Sequence, residues 1–326
     1  MPLLLSENDV RAVLSMDDLI ASMETALARF SAGAVQQPLR TVLTVGDGHA
    51  FYAVMPAFMR EPAAHGTKLV TVFGSNAERG LPTHLATIVL LDAQTGALQA
   101  ILDGRYITEA RTAAVSAVSA KHLARRGART LAIFGSGVQA RSHLEALTRV
   151  REFAEIRIWS RDPQHAASFA REMQPRCPVP LSPVGSPEQA ARSADVIALV
   201  TAARDPVLRS EWVSDGAHIC AVGACRPDQR EMDTALVARA RLFVDSRTGA
   251  LAEAGDIVIP MKERAFDAAH IAGELGEMVG GRVQGRASDR DVTIFKSLGM
   301  AVEDVAAARL AWERASERGL GREFVL

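Results

Sequence analysis

The stretch Thr130-Leu-Ala-Ile-Phe-Gly-Ser-Gly-Val-Gln-Ala140 decides the fold of this 326-residue chain. An apolar run, Thr130 to Phe134, breaks into Gly135-x-Gly137-x-x-Ala140 and continues as a helix-like segment from Arg141 to Val150. That succession predicts a strand, a tight turn and a helix N-terminus. Gly135 permits the turn, Gly137 leaves the backbone open to a pyrophosphate, and Ala140 keeps the helix close to the sheet. Val138 and Gln139, inside the motif, count with the glycines as cofactor-binding residues, and the helix N-terminus that follows offers spare N–H donors and a positive dipole end to phosphate. A bare G-x-G-x-x-A arises by chance in a glycine-rich chain, so its surroundings carry the argument.

Those surroundings alternate. Segments Thr130–Phe134, Glu155–Trp159, Asp195–Val200, Ala217–Val222 and Arg241–Val244 are short and mostly apolar, and each is followed by a helix-like or loop segment. This is the pattern of a Rossmann-type, doubly wound parallel sheet whose strands are buried on both faces. The N-terminal part reads differently. Two short helices are expected over Ser6–Ala32, with Ser6 and Asp9 as an N-cap signature. After them come short strands at Thr41–Val45, Ala50–Met55, Thr67–Val72, Ala86–Leu91 and Leu98–Leu102, with a hairpin turn at Asp92–Gly96. A long helix rich in Ala and Ser follows from Thr108 to Arg125. The tail, Thr293 to Arg318, is expected to be a final helix carrying Phe295, Leu298, Val302 and Val305 and returning to the first domain. The fold class is therefore α/β, a doubly wound sheet plus a second α+β domain. The expected boundaries are 1–118 with helix 300–326 for that second domain, and 119–299 for the dinucleotide-binding domain.

Composition narrows the function. Lys and Arg number 37 against 38 Asp and Glu, so no basic surface points to nucleic acid or an anionic membrane. Three cysteines, Cys177, Cys220 and Cys225, make no disulfide framework and fit a reducing compartment. The N-terminus is acidic where a signal peptide is basic, and no apolar run approaches the roughly 20 residues of a membrane helix. The expectation is a cytoplasmic protein. No histidine or cysteine spacing suggests a metal site.

Five ordered blocks carry a resemblance. They are Gly66-Thr-Lys-Leu-Val-Thr-Val, Thr108-Glu-Ala-Arg-Thr-Ala-Ala-Val-Ser-Ala, Gly135-Ser-Gly-Val-Gln-Ala, Val222-Gly-Ala-Cys-Arg-Pro-Asp-Gln-Arg-Glu-Met-Asp and Phe295-Lys-Ser-Leu-Gly-Met-Ala. Over nearly its full length the chain resembles the ornithine cyclodeaminase and mu-crystallin family. The resemblance implies a Rossmann domain, a substrate domain that also forms a homodimer, and an amino or imino acid as small-molecule substrate. Family activities include ornithine cyclodeamination, alanine dehydrogenation and reduction of cyclic imino acids (ketimines). Arg40 and Arg111 look like the family's carboxylate-binding arginines, a task suited to a planar fork that keeps its charge. Lys68 looks like the active-site lysine, either a further carboxylate contact or a proton donor whose pKa a cationic neighbourhood lowers. His84 lies in a segment near the family's active site and either bonds substrate or is structural.

Two departures select among the family's activities. Where cyclodeaminases carry an aspartate after the fourth Rossmann strand, this chain has Cys225, followed by Arg226-Pro227 as in ketimine reductases. Cys225 reads as a weak acid or hydrogen-bonding thiol, or as a small packing residue. The glutamate that receives the ornithine side-chain amine is replaced by Ala53, and a buried ammonium without a carboxylate is costly. The expected activity is NAD(P)H-dependent reduction of a cyclic imino acid, such as Δ1-pyrroline-2-carboxylate to proline. The alternatives are an ornithine cyclodeaminase or alanine-type dehydrogenase, and a non-catalytic NADPH-binding protein. For the cofactor, Ser160 stands where an NAD-type acid is expected and Arg161 adds positive charge, which favours NADPH over NADH. Asp162 either caps the next helix or, in a shifted register, binds ribose.

Overall fold

The structure, a computed structural model, describes residues 1–46, 48 and 50–325. In chain order it begins with β1 (Leu3–Leu5), α1 (Glu7–Val13), α2 (Met16–Ser31), β2 (Val35–Gln36), β3 (Thr41–Val45), β4 (Ala50–Met59), β5 (Ala64–Phe73), β6 (His84–Leu91), β7 (Leu98–Asp103) and α3 (Arg105–Leu123). The middle holds β8 (Thr130–Phe134), α4 (Val138–Val150), β9 (Glu155–Trp159), α5 (Pro163–Met173), β10 (Leu181–Pro183), α6 (Pro187–Ala191), β11 (Val196–Leu199) and β12 (His218–Ala221). Then follow α7 (Thr234–Arg239), β13 (Arg241–Val244), α8 (Arg247–Glu253), α9 (Gly255–Lys262), β14 (Ile271–Glu274), α10 (Leu275–Val279), β15 (Thr293–Lys296), α11 (Ala301–Arg318) and β16 (Arg322–Glu323). The chain divides into two compact units, Met1–Arg111 with Gly299–Leu326, and Thr112–Leu298. The division falls inside α3.

The first unit is built on a sheet of order β16-β1-β7-β6-β5-β4-β2, with β3 also paired to β4. Its long strands alternate in burial, as a sheet with one covered face requires. In β4 to β7 the buried set is Ala53, Met55, Ala57, Met59, Ala64, Gly66, Lys68, Ala86, Ile88, Leu90, Ala100 and Leu102. Helix α11 packs on β4, β5 and β6 and against α2. A lysine therefore stands among the apolar residues of the covered face.

The second unit is an eight-stranded sheet of order β10-β9-β8-β11-β12-β15-β13-β14, every pairing parallel. Its two faces are packed separately. Leu131, Ile133, Ile156, Ile158, Val196 and Ala198 belong to one apolar core, and Ala132, Phe134, Ile197 and Leu199 belong to the other. That period of two with both sets buried explains why these strands read as continuous apolar runs. The strand order reverses between β8 and β11, the switch point at whose carboxyl ends such sheets take ligands.

One expectation is overturned. Thr293–Lys296 is a strand, fully buried between β12 and β13, and not the start of the last helix. The apolar positions 295, 298, 302 and 305 mimic helical spacing only because a strand and a helix happen to abut. Gly299, at φ +81°, breaks the run, and α11 begins at Ala301. The two N-terminal helices form, with the Ser6–Asp9 cap, but α2 is 16 residues long and strand β1 precedes α1.

Candidate active site and dinucleotide turn

Lys68 lies in the middle of β5, directly opposite Met55 on β4 and Ile88 on β6. Paired residues on neighbouring strands point to the same face, so its amine is delivered under the helices and is 2% exposed. The first turn of α11 answers it. Asp304 Oδ2 lies 2.6 Å from Lys68 Nζ, and Asp304 Oδ1 accepts from Arg111 Nε at 2.8 Å. Glu303 Oε2 accepts from Arg111 Nη1 at 2.8 Å and from the Met300 backbone N–H at 3.1 Å. Both carboxylates are fully buried. Two cations from β5 and α3 are thus tied together by two adjacent anions on one helix, whose N-terminal dipole end also favours negative charge.

Backbone geometry makes room for this cluster. A Cβ on Gly299 would sit 2.5 Å from Arg111 Nη1, at a positive φ that side chains rarely adopt. Thr108, one turn before Arg111 on α3, donates its hydroxyl to Gly104 O at 2.7 Å and lies 3.5 Å from Lys68 Nζ. Burial lowers Lys68 to about 8; Asp304 opposes that shift, while Arg111 adds to it. Burial pushes the Asp304 carboxyl up, but Arg111 and Lys68 outweigh it and hold it below the ordinary carboxylate range. His84, at the start of β6, is lowered to about 4 by burial and then by the charges of Lys68 and Arg111. It is a neutral imidazole beside the cluster at neutral pH.

The other sequence candidates fall out as follows. Arg40 is half-buried in the segment entering β3. Thr41 pairs with Val54, so extending that register by one residue sets Arg40 against Met55, whose other neighbour is Lys68. Ala53 is buried on the same face as Met55. Glu303 and Asp304 went unnoticed in the sequence, where an acidic pair opening a helix reads as ordinary capping.

In the second unit the turn after β8 has the form the glycines predict. Gly135 is at φ +121°, and a Cβ there would meet Val200 O at 2.7 Å. A Cβ on Gly137 would meet nothing within 4 Å, so the space beside the turn is open. Gly137 is the N-cap of α4 and supplies no side-chain acceptor, which leaves the helix's first N–H groups for an anion. Val138 is 47% exposed at this helix end, and Ala140 is fully buried. The Gln139 side-chain oxygen is buried without a hydrogen-bond partner in the protein. Ser136 Oγ lies 3.2 Å from Ser160 Oγ just past β9, and Arg161 beside it is exposed. Asp162 is committed to capping α5, accepting from Gln164 N at 2.8 Å. An open turn, spare N–H donors and an orphaned amide oxygen fit a dinucleotide.

Cys225 also lies in the second unit, half-buried, its thiol donating to Val222 O at 3.2 Å. Nearby, the buried Lys296 Nζ is 3.0 Å from Asp256 Oδ2, and Asp256 Oδ1 accepts from the backbone N–H groups of Glu231 and Met232. Glu231 in turn accepts from Thr201, Gly223 and Ala224. These buried charges knit together the loops at the carboxyl ends of β11, β12 and β15.

The architecture is that of a Rossmann-type α/β protein with a second α+β unit that carries a buried lysine–arginine–carboxylate cluster. Residues 1–319 match the ornithine cyclodeaminase/mu-crystallin family, and the chain belongs to it. It is 44% identical over 316 residues to the ketimine reductase mu-crystallin of Rattus norvegicus, covering 96% of this chain and 97% of that protein. Among solved structures, Δ1-pyrroline-2-carboxylate reductase of Thermococcus litoralis, in complex with NADH and L-proline, superposes with a TM-score of 0.96 at 39% identity, over 99% of this chain and 100% of that one. An archaeal alanine dehydrogenase dimer with bound NAD gives 0.94 at 31% identity, over 99% of each.

Proposed function

We propose that the protein is an NAD(P)H-dependent reductase of cyclic imino acids, acting on a ketimine such as Δ1-pyrroline-2-carboxylate. The observation that carries this reading is the buried Lys68–Asp304–Arg111 cluster, in a family whose relatives include a ketimine reductase and a pyrroline-2-carboxylate reductase. Arg111 from α3, with Arg40 on the sheet row of Lys68, holds the substrate carboxylate. Asp304 and Thr108 occupy two of the three N–H donors of Lys68, and the third serves the substrate. An ammonium lowered to about 8 gives up a proton to a nascent secondary amine far more readily than an ordinary lysine. Gly135, Gly137, Val138, Gln139 and Ala140 form the cradle for the pyrophosphate. When bound, the reduced nicotinamide supplies the hydride to the imine carbon. Ornithine is disfavoured, because Ala53 offers its second ammonium no counter-charge.

The same reading extends to the finer properties. Ser160 and Arg161, with Asp162 engaged as a helix cap, favour a ribose 2′-phosphate and hence NADPH over NADH. Val42, Leu43, Val72 and Leu85 are each at least 41% exposed on the first unit, an apolar surface suited to a second copy in a homodimer. Among the described residues no helix is long and apolar enough to cross a membrane, and Cys177, Cys220 and Cys225 are free thiols, which suits a cytoplasmic protein. His84 and Cys225 are auxiliary, the first bordering the substrate carboxylate and the second shaping its loop.

The deciding experiment follows nicotinamide absorbance with Δ1-pyrroline-2-carboxylate, offering NADPH and NADH in parallel. Turnover with a preference for NADPH is the expected result. Turnover preferring NADH would remove the role given to Ser160 and Arg161 and leave the reductase standing. No turnover with either would end the reductase reading, and ammonia release from ornithine or alanine would name its replacement.

A further inference from the structure

Buried ion pairs are costly, and an apolar filling of the same volume is often the more stable choice. Asp304 is therefore an expensive residue for holding a helix in place. One of its oxygens accepts from Arg111 Nε, and the other lies against Lys68 Nζ. Glu303 already supplies Arg111 with a counter-charge and Met300 with its backbone acceptor. What Asp304 adds is a bridge from the arginine on α3 to the lysine on β5. Without it, Lys68 would face the positive Arg111 and neutral His84, with Glu303 as a weaker counter-charge and the hydroxyl of Thr108 3.5 Å away.

We propose that Asp304 is a positioning residue for the reductase site, one that keeps Lys68 protonated and aims its ammonium beside Arg111, so that carboxylate binding and protonation of the product nitrogen occur side by side. The inference rests on the proton-donor reading of Lys68 given above. The charged and titratable groups facing Lys68 are Asp304 and Glu303 from α11, Arg111 from α3 and His84 from β6. Of these, Asp304 is the strongest influence that favours the charged lysine, in opposition to burial. Its neutralisation leaves burial and Arg111 acting together.

The test uses Asp304→Asn, which keeps the shape and removes the charge, and Asp304→Glu, which keeps the charge and displaces it by one methylene. The ionisation of Lys68 is followed through its 13Cε resonance in lysine-labelled protein, assigned by its loss in Lys68→Arg, and the basic limb of kcat/KM is recorded in parallel. In Asp304→Asn both midpoints should fall together by about one pH unit or more, the size expected for loss of a close opposite charge. Asp304→Glu should fall between this variant and the parent. A Lys68 resonance whose midpoint stays put in both variants overturns the inference and leaves the proton-donor reading intact. A resonance that moves while the kinetic limb does not overturns the proton-donor reading, and the inference with it. A loss of activity uniform across pH with no shift of either midpoint marks Asp304 as merely structural.

Discussion

Arg111 reaches two carboxylates because position 299 has no side chain. Its Nη1 would lie 2.5 Å from a Cβ there, and at φ +81° that Cβ would be strained as well. Gly299→Ala should therefore displace the guanidinium from Glu303 and Asp304, raising KM for the imino acid at least about tenfold, a loss of roughly 1.4 kcal/mol or more in binding. Because Gly299 belongs to the first unit and the dinucleotide turn to the second, NADPH affinity by fluorescence titration should stay within about twofold. A variant that loses cofactor affinity in step with substrate affinity would show that position 299 governs more than Arg111. The same residue shows what a sequence conceals. Lys68 and Arg111 were legible through the blocks surrounding them, but their counter-charges sit 192 or more positions away from Arg111 in the chain. Nothing in Glu303-Asp304 distinguishes an active-site clamp from a helix cap until the fold brings it to Arg111.

At the scale of elements, the turn between β8 and α4 was readable because its constraints are local. A glycine at φ +121° under Val200 O, a second glycine facing open space and an alanine packed on the sheet all leave their mark in consecutive residues. Gly135→Ala should abolish dinucleotide binding, since its Cβ would strike Val200 O at 2.7 Å and force the turn away from the pyrophosphate. Calorimetric titration with NADPH provides the measurement, and binding within about twofold of the parent would refute the geometry assigned to the turn. Strand β15 was unreadable for the opposite reason. Its four residues have too short a run to display a period, and its place between β12 and β13 is fixed by pairing with chain segments far away in sequence. Lys296, at its end, is a residue type rarely found fully buried. It is accommodated because Asp256, from the first turn of α9, and Glu231, from a loop, arrive to meet it.

For the molecule as a whole, two buried histidines and the half-buried His84 bear on how stability responds to acid. His143 and His218 are fully buried in the second unit, and burial lowers them to about 4 and about 3; His84 in the first unit is lowered to about 4. Their hydrogen bonds are built for the neutral ring. His143 donates from Nδ1 to Gln139 O at 2.8 Å and accepts at Nε2 from Ser116 Oγ at 2.9 Å. His218 donates from Nε2 to Ser119 Oγ, whose own hydrogen goes to Ser116 O, and its Nδ1 lies 2.9 Å from Thr293 Oγ1, which also reaches Leu123 O. A further proton on His143 would set its Nε2–H against the hydroxyl hydrogen of Ser116. The unfolded chain takes up these protons near the ordinary histidine value of 6.5, while the folded chain resists until about 4 or below. The stabilisation is thus complete above pH 6.5 and is lost progressively as pH falls from there through the folded values of about 4 and about 3. Each histidine should contribute a slope approaching about 1.4 kcal/mol per pH unit between pH 6 and 4.5. Urea unfolding at successive pH values measures the total, and His143→Gln, which can still donate to Gln139 O, should remove about one histidine's share of the slope. Equal slopes in the variant and the parent would mean that His143 titrates in the folded protein as it does in the unfolded one, against the burial and the bonds described.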